Sequence, residues 1–147
     1  MSLSNTAEER YLDLTFLNID FADIGDATGL RGSSTAGSFY ITLHTADPGE
    51  GGSQNTNEVT YAGYARIAVA RSGAGFSRTG STISNVANIQ FAEAGVAVSQ
   101  VATYFSIGTA LSGAGVILGS GVLDTARTIT EGISPLFNAG TLQATFD

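Results

Sequence analysis

From residue 38 onward the hydrophobic pattern repeats every second residue, and a chain with that period folds as strands. Phe39, Ile41 and Leu43 alternate with Tyr40, Thr42 and His44, the pattern of a half-buried strand with one apolar face. Asp47-Pro48-Gly49 stops it, because proline presets φ and glycine accepts positive φ. The same grammar then recurs. Tyr64–Arg71 carries Ala65, Ile67 and Val69 on one face. Further short strands are expected over Phe76–Arg78, Thr82–Val86, Asn88–Phe91, Val101–Gly108, Gly115–Val122, Arg127–Ile129 and Leu142–Phe146. Turn residues at Gly80, Gly95, Ser112-Gly113, Gly132 and Asn138-Ala-Gly140 separate most of them. Segments 29–37 and 50–58, polar and glycine-rich, read as loops, the second as an exposed one. Many short strands at this spacing predict a mainly β chain, a jelly roll or β-sandwich.

The first segment has a different period. Ala7, Tyr11, Leu14 and Phe16-Leu17 recur near helical spacing, which places a short N-terminal helix at about residues 5–18, with room for another turn to Ile24. Asn5 with Glu8, or Thr6 with Glu9, has the spacing of a capping box. Both acids then sit where the helix dipole favours negative charge. The expected organisation is one domain over 1–147, with the helix and a connection in 1–28 and the β-sandwich in 29–147.

Charge and cysteine content exclude several function classes. Thirteen acids against six basic residues, all of them Arg, give a net charge of −7. That balance argues against binding nucleic acid through phosphates and against an anionic membrane surface. The absence of Cys removes disulfides, thiolate metal sites and a Cys nucleophile. No apolar run is long enough to cross a bilayer. The acidic start, Met1-Ser-Leu-Ser-Asn-Thr-Ala-Glu-Glu-Arg10, lacks the basic and apolar regions of a signal peptide. Synthesis in a cytoplasm is the expectation. Lysine, a common guard of exposed strand edges, is also missing. Bulges, short strands, glycine kinks or a second chain must then do that work.

No motif for catalysis appears. His44 is the single His, so no paired-His metal set exists, and a structural role is the expected one. Asp20, Asp23 and Asp26 cluster but do not follow the EF-hand spacing, and Asp47, Glu50 and Glu58 share a loop already explained by turn chemistry. The pairs Gly73-Ala-Gly75 and Gly113-Ala-Gly115 complete no G-x-G-x-x-G, and a P-loop requires a Lys. Gly-x-Ser-x-Gly is absent. No catalytic residue, metal ligand or cofactor site is therefore expected. Interface residues are the remaining candidates, since Tyr and Arg are enriched at protein contacts. They are Tyr61, Tyr64, Arg66, Arg71 and Arg78, with Leu3 and Tyr11 from the N-terminal segment. The alternative for each Arg is a covered strand edge or a pairing with a nearby acid.

Several blocks, taken in order, carry a resemblance. They are Met1-Ser-Leu-Ser-Asn5, Tyr40-Ile-Thr-Leu-His-Thr-Ala-Asp-Pro-Gly49 and Gly63-Tyr-Ala-Arg-Ile-Ala-Val69. They continue in Ser84-Asn-Val-Ala-Asn-Ile-Gln-Phe91, Thr103-Tyr-Phe-Ser-Ile-Gly108, Ser112-Gly-Ala-Gly115 and Gly132-Ile-Ser-Pro-Leu-Phe-Asn-Ala-Gly140. With these the chain resembles small tailed-bacteriophage virion proteins, often labelled as tail fibre proteins. Leu43–Gly49 is the most specific block, and Asp20–Gly37 looks longer than the usual pattern. The resemblance implies a structural part of the virion and no enzyme. The reading favoured here is a capsid cement or decoration protein on the outer head surface, with the major capsid protein as partner and self-association as a dimer or higher. A tail, baseplate or fibre-associated protein is the alternative, and a carbohydrate-binding jelly-roll module a further one. A surface low in charge lowers the desolvation penalty of large contacts.

Overall fold

A computed structural model describes residues 2–26, 28–95 and 99–145. Among the described residues one helix, α1 (Asn5–Phe16), precedes nine strands. These are β1 (Ser38–His44), β2 (Ile67–Ala70), β3 (Phe76–Thr79), β4 (Thr82–Asn85), β5 (Ile89–Gln90), β6 (Ser99–Gly108), β7 (Ile117–Thr130), β8 (Leu136–Phe137) and β9 (Gln143–Thr145). They form sheets in the orders β2-β1-β6-β7, β3-β4-β9 and β5-β8. The chain is thus mainly β with one short N-terminal helix. The strands fall into antiparallel sheets, the largest of four strands. Phe146, the end of the expected last strand, lies outside the described residues.

The helix starts at Asn5, as its sequence implies, but its capping residue is Ser4 and not Asn5 or Thr6. Ser4, with extended backbone, accepts the Ala7 N–H on its hydroxyl at 3.3 Å. The third helical residue is then Ala7, so neither expected capping box forms. Glu8 keeps its place in the first turn. The helix ends at Phe16 because Asn18 takes φ 58°, a left-handed conformation that Asn tolerates.

The chain divides into two compact units. One comprises Met1–Ser38, Ala70–Asn88 and Phe137–Asp147; the other comprises Phe39–Val69 and Ile89–Leu136.

In the first unit, Leu12 and Phe16 of α1 are buried with Phe76, Ile83 and Leu142. The Phe16 and Phe76 rings meet edge to face at 5.3 Å, a favoured aromatic geometry. Strands β3 and β4 pair antiparallel from Phe76↔Asn85 to Thr79↔Thr82, and β9 adds through Thr82↔Thr145. Helical carbonyls without an intrahelical partner need donors, and α1 has no base in its last turn. Arg71 supplies them from far along the chain, donating to the carbonyls of Leu14 and Thr15 and to the Ser33 hydroxyl. Buried Asn85 donates to the carbonyls of Ala87 and Asn138 and accepts the Leu142 N–H.

In the second unit, β1 runs antiparallel to β6 with Thr42↔Ser106 and His44↔Tyr104 in register. The expected one-sided burial of β1 is corrected here. Ile41 and Leu43 are buried, and so are Thr42 and His44 on the opposite face. The cover for that polar face comes from segment 53–58, read from the sequence as an exposed loop. Its Gln54 is 0% exposed. The Gln54 amide nitrogen donates to Thr42 Oγ1 at 2.9 Å and to the Tyr40 carbonyl, and its oxygen accepts the Ala110 N–H at 2.8 Å. Glycines at 108 and 115 make room for it. A Cβ on Gly108 would lie 2.1 Å from Gln54 Cδ, and one on Gly115 would lie 2.1 Å from Gln54 Oε1.

Strand β7 joins two strands that the sequence separates. Its pairing with β6 jumps from Ala102↔Arg127 to Tyr104↔Val122, and shifts again beside Gly108↔Ile117. The gap read over 123–126 is therefore a bulge within one long strand. Bulges bend a strand and blunt an edge, and β7 lies at the edge of its sheet. This chain without Lys uses bulges there.

Candidate functional site

Arg66, directly before β2, is 4% exposed. A buried guanidinium needs a partner for its charge and acceptors for its donors. Glu58, paired to the edge of β1 through an isolated bridge to His44, provides the partner. Arg66 Nε and Nη2 donate to the two Glu58 carboxylate oxygens, each at 2.7 Å. This is the bidentate fork that makes Arg pairs specific. Its remaining bonds go to the carbonyls of Ala110 at 2.9 Å and Gly113 at 2.8 Å. One side chain thus fastens the turn between β6 and β7 to the acid beside β1.

A concavity of about 500 Å³ opens above this pair, lined among others by Glu58, Tyr61, Tyr64, Arg66, Leu111 and Ser112. Tyr61 and Tyr64 meet edge to face at 5.3 Å, and Tyr64 stacks on Phe91 at 5.8 Å. The Tyr61 hydroxyl donates to the Ala92 carbonyl, and the Tyr64 hydroxyl oxygen accepts the Leu43 N–H. Burial raises the pKa of both phenols above the ordinary tyrosine value, and for Tyr64 the Glu58 carboxylate adds to it. At neutral pH the lining is therefore apolar surface, protonated phenols and a carboxylate already engaged by Arg66. Leu111 at the rim is 59% exposed.

Three of the interface candidates, Tyr61, Tyr64 and Arg66, come together around this concavity. The other four belong to the first unit. Leu3 is exposed. Tyr11 is half-buried with its ring edge to face on Phe21 at 5.2 Å. Arg71 holds the helix end. Arg78 binds Asp13 through Nε at 2.6 Å and Glu9 at 3.2 Å. Arg66 and Arg78 thus pair with acids, the alternative to an interface role, whereas Arg71 binds two carbonyls and a hydroxyl.

His44 occupies a second polar site, which sequence reasoning read only as structural. Its Nδ1 lies 2.8 Å from the Thr56 carbonyl oxygen, so Nδ1 carries the proton and donates. Nε2 lies 2.7 Å from Ser106 Oγ and accepts its O–H. A Ser–His pair within hydrogen-bond reach is the geometry of an activated nucleophile. Here both residues are 0% exposed, and a backbone carbonyl stands where a triad has a carboxylate. Burial lowers the His44 pKa below the ordinary 6.5. The pair fastens β1, β6 and segment 53–58 together.

The acidic clusters are used locally. Asp20 accepts the Gly32 N–H, Asp26 caps Thr28, and Asp47 accepts the Gly49 N–H. No group of three metal-ligating side chains occurs among the described residues. Sequence reasoning missed Gln54, Ser106 and Asn85, whose partners lie up to 62 residues away in the chain. The glycines at 108 and 115 were the available signal for Gln54.

No curated protein matches the chain. A family model does, that of "Podophage GP4 fiber I protein gp80", over residues 2–145. That span takes in α1, all nine strands and both polar sites. The chain therefore belongs to this family of phage virion structural proteins.

Proposed function

We propose that this protein is a fibre-associated structural component of the phage tail. The observation that carries the reading is the family match over residues 2–145, because the family's description names a fibre protein. The cement role on the head, favoured by the sequence alone, fits that description less well. The protein acts by holding other proteins and performs no catalytic step.

The surface supports a binding role. Residues 109–123 contain no charged side chain, and Leu111, Val116, Leu118 and Val122 within them are 46–64% exposed. Exposed apolar groups lying close together mark contact surfaces. Partners for this stretch are other virion proteins, further copies of this chain among them.

Gold-conjugated antibody against the folded protein, applied to purified virions, tests the assignment by electron microscopy. Label at the tail is the expected result. Label confined to the head would sink the fibre reading and restore the cement one.

A further inference from the structure

The Ser106–His44–Thr56 chain of hydrogen bonds stands under a cover that the same residues help to hold down. Segment 53–58 is tied to its surroundings at several points, among them the Glu58 bridge to His44, the Glu58–Arg66 pair and the Thr45 N–H to the Asn57 carbonyl. Thr56 accepts from His44, Gln54 binds Thr42 and Ala110, and Val59 donates to the Leu43 carbonyl at its far end. Gln54 also links this segment to the turn over 109–115, through its backbone N–H to the Gly115 carbonyl.

We infer that His44 is an acid-operated latch, whose protonation at Nε2 releases segment 53–58 together with the turn over 109–115. The neutral ring satisfies both neighbours, with Nδ1–H donating to Thr56 and Nε2 accepting from Ser106. A proton from solvent at Nε2 turns the ring into a double donor. The Ser106 hydroxyl then loses its acceptor, and a cation sits at a 0% exposed position. Lifting the segment gives both groups water.

The charges around the ring do not remove this penalty. Glu58, from the covering segment, and Asp47, beyond the end of β1, favour the cation, while Arg66 before β2 opposes it. From β6, uncharged Tyr104 stands opposite His44 in register. Glu58 is already matched by Arg66 in a bidentate pair, and burial is the largest influence on the ring.

The direction follows from linkage. A His whose closed-state pKa lies below 6.5 takes its proton more readily in the open state. The closed form is undisturbed above 6.5. The ratio of open to closed then rises up to tenfold for each pH unit below it, until the closed-state pKa is reached.

Hydrogen exchange by mass spectrometry on the full chain tests the latch. Protection of peptides covering 53–59 and 109–116 is measured at pH 7.5 and 5.5, with intrinsic rates corrected for pH. The expected result is a loss of protection of up to about tenfold in both at pH 5.5. Peptides around Leu142, tied to Asn85, stay unchanged, and His44→Gln abolishes the loss. Equal protection at the two pH values overturns the proposal. So does an equal loss around Leu142, or an undiminished loss in the variant. The ring C–H proton resonance of His44 in the wild-type chain gives a variant-free check, since a titration midpoint at or above 6.5 also overturns it.

Discussion

Replacing Gln54 with Ala removes the residue on which the second unit's polar core converges. Thr42 Oγ1 and the Ala110 N–H both lose a partner, and Thr42 is wholly buried. An orphaned buried polar group costs about 1–3 kcal/mol. Two of them, with the lost packing, give a destabilisation of about 3–5 kcal/mol. At a urea slope of about 2 kcal/mol per molar, the midpoint falls by roughly 2 M. The decisive experiment adds Gly108→Ala. In the wild-type background its Cβ lands 2.1 Å from Gln54 Cδ, and such overpacking costs about 1–3 kcal/mol. In the Gln54→Ala background the methyl enters vacated space, so the second substitution becomes nearly free. The assay is urea unfolding followed by tyrosine fluorescence. Tyr40, Tyr61, Tyr64 and Tyr104 all lie in the second unit, so the signal comes mostly from the unit being perturbed. If the two substitutions add to within about 0.5 kcal/mol, the steric reasoning about Gln54 in its glycine cradle is wrong.

Three other outcomes are expected. Asp13→Ala strips Arg78 of its 2.6 Å partner and loosens α1; a loss of about 1–2 kcal/mol should lower the melting temperature by roughly 3–8 °C, read by circular dichroism. Asn85→Ala orphans the Leu142 N–H, and hydrogen exchange at that amide should accelerate with a destabilisation of about 2–4 kcal/mol. Tyr64 keeps its proton above the ordinary value of 10. Its stabilisation is thus present below pH 10 and is lost as the pH rises further, and Tyr64→Phe should remove a late step from the ultraviolet titration of phenolate.

How much of this was legible beforehand depended on where each residue's partner sits in the chain. The period-two pattern gave β1 its place, since Phe39, Ile41 and Leu43 pack against their own sheet's core. It misjudged the other face, because Thr42 and His44 look solvent-facing until Gln54 and Thr56 cover them. Helix α1 was found from its apolar spacing, but its cap fell on Ser4, where geometry and not the spacing of acids decides. The break over 123–126 was visible as a run of non-strand residues. Its meaning as a bulge needed the register with β6. Strand β8, two residues long, left no periodic trace at all. At the candidate site, Tyr61, Tyr64 and Arg66 were singled out as residue types. Their meeting point with Leu111 and Gly113 is set by a turn more than 40 residues downstream, and a local pattern carries no information over that distance.

The way the chain is shared between its units has a consequence during synthesis. Everything the second unit needs has been made once residue 136 is joined. The first unit, by contrast, waits for Leu142 to fill its core and for β9 to pair with β4. At translation rates of roughly 5–20 residues per second, the interval between residues 16 and 145 is about 6–26 s. Throughout it Leu12 and Phe16 have no finished core to enter. The helix, made before all the strands described, is thus among the last of these elements to be locked in place. That delay leaves the helical segment open to chaperones, proteases and premature contact with its neighbours.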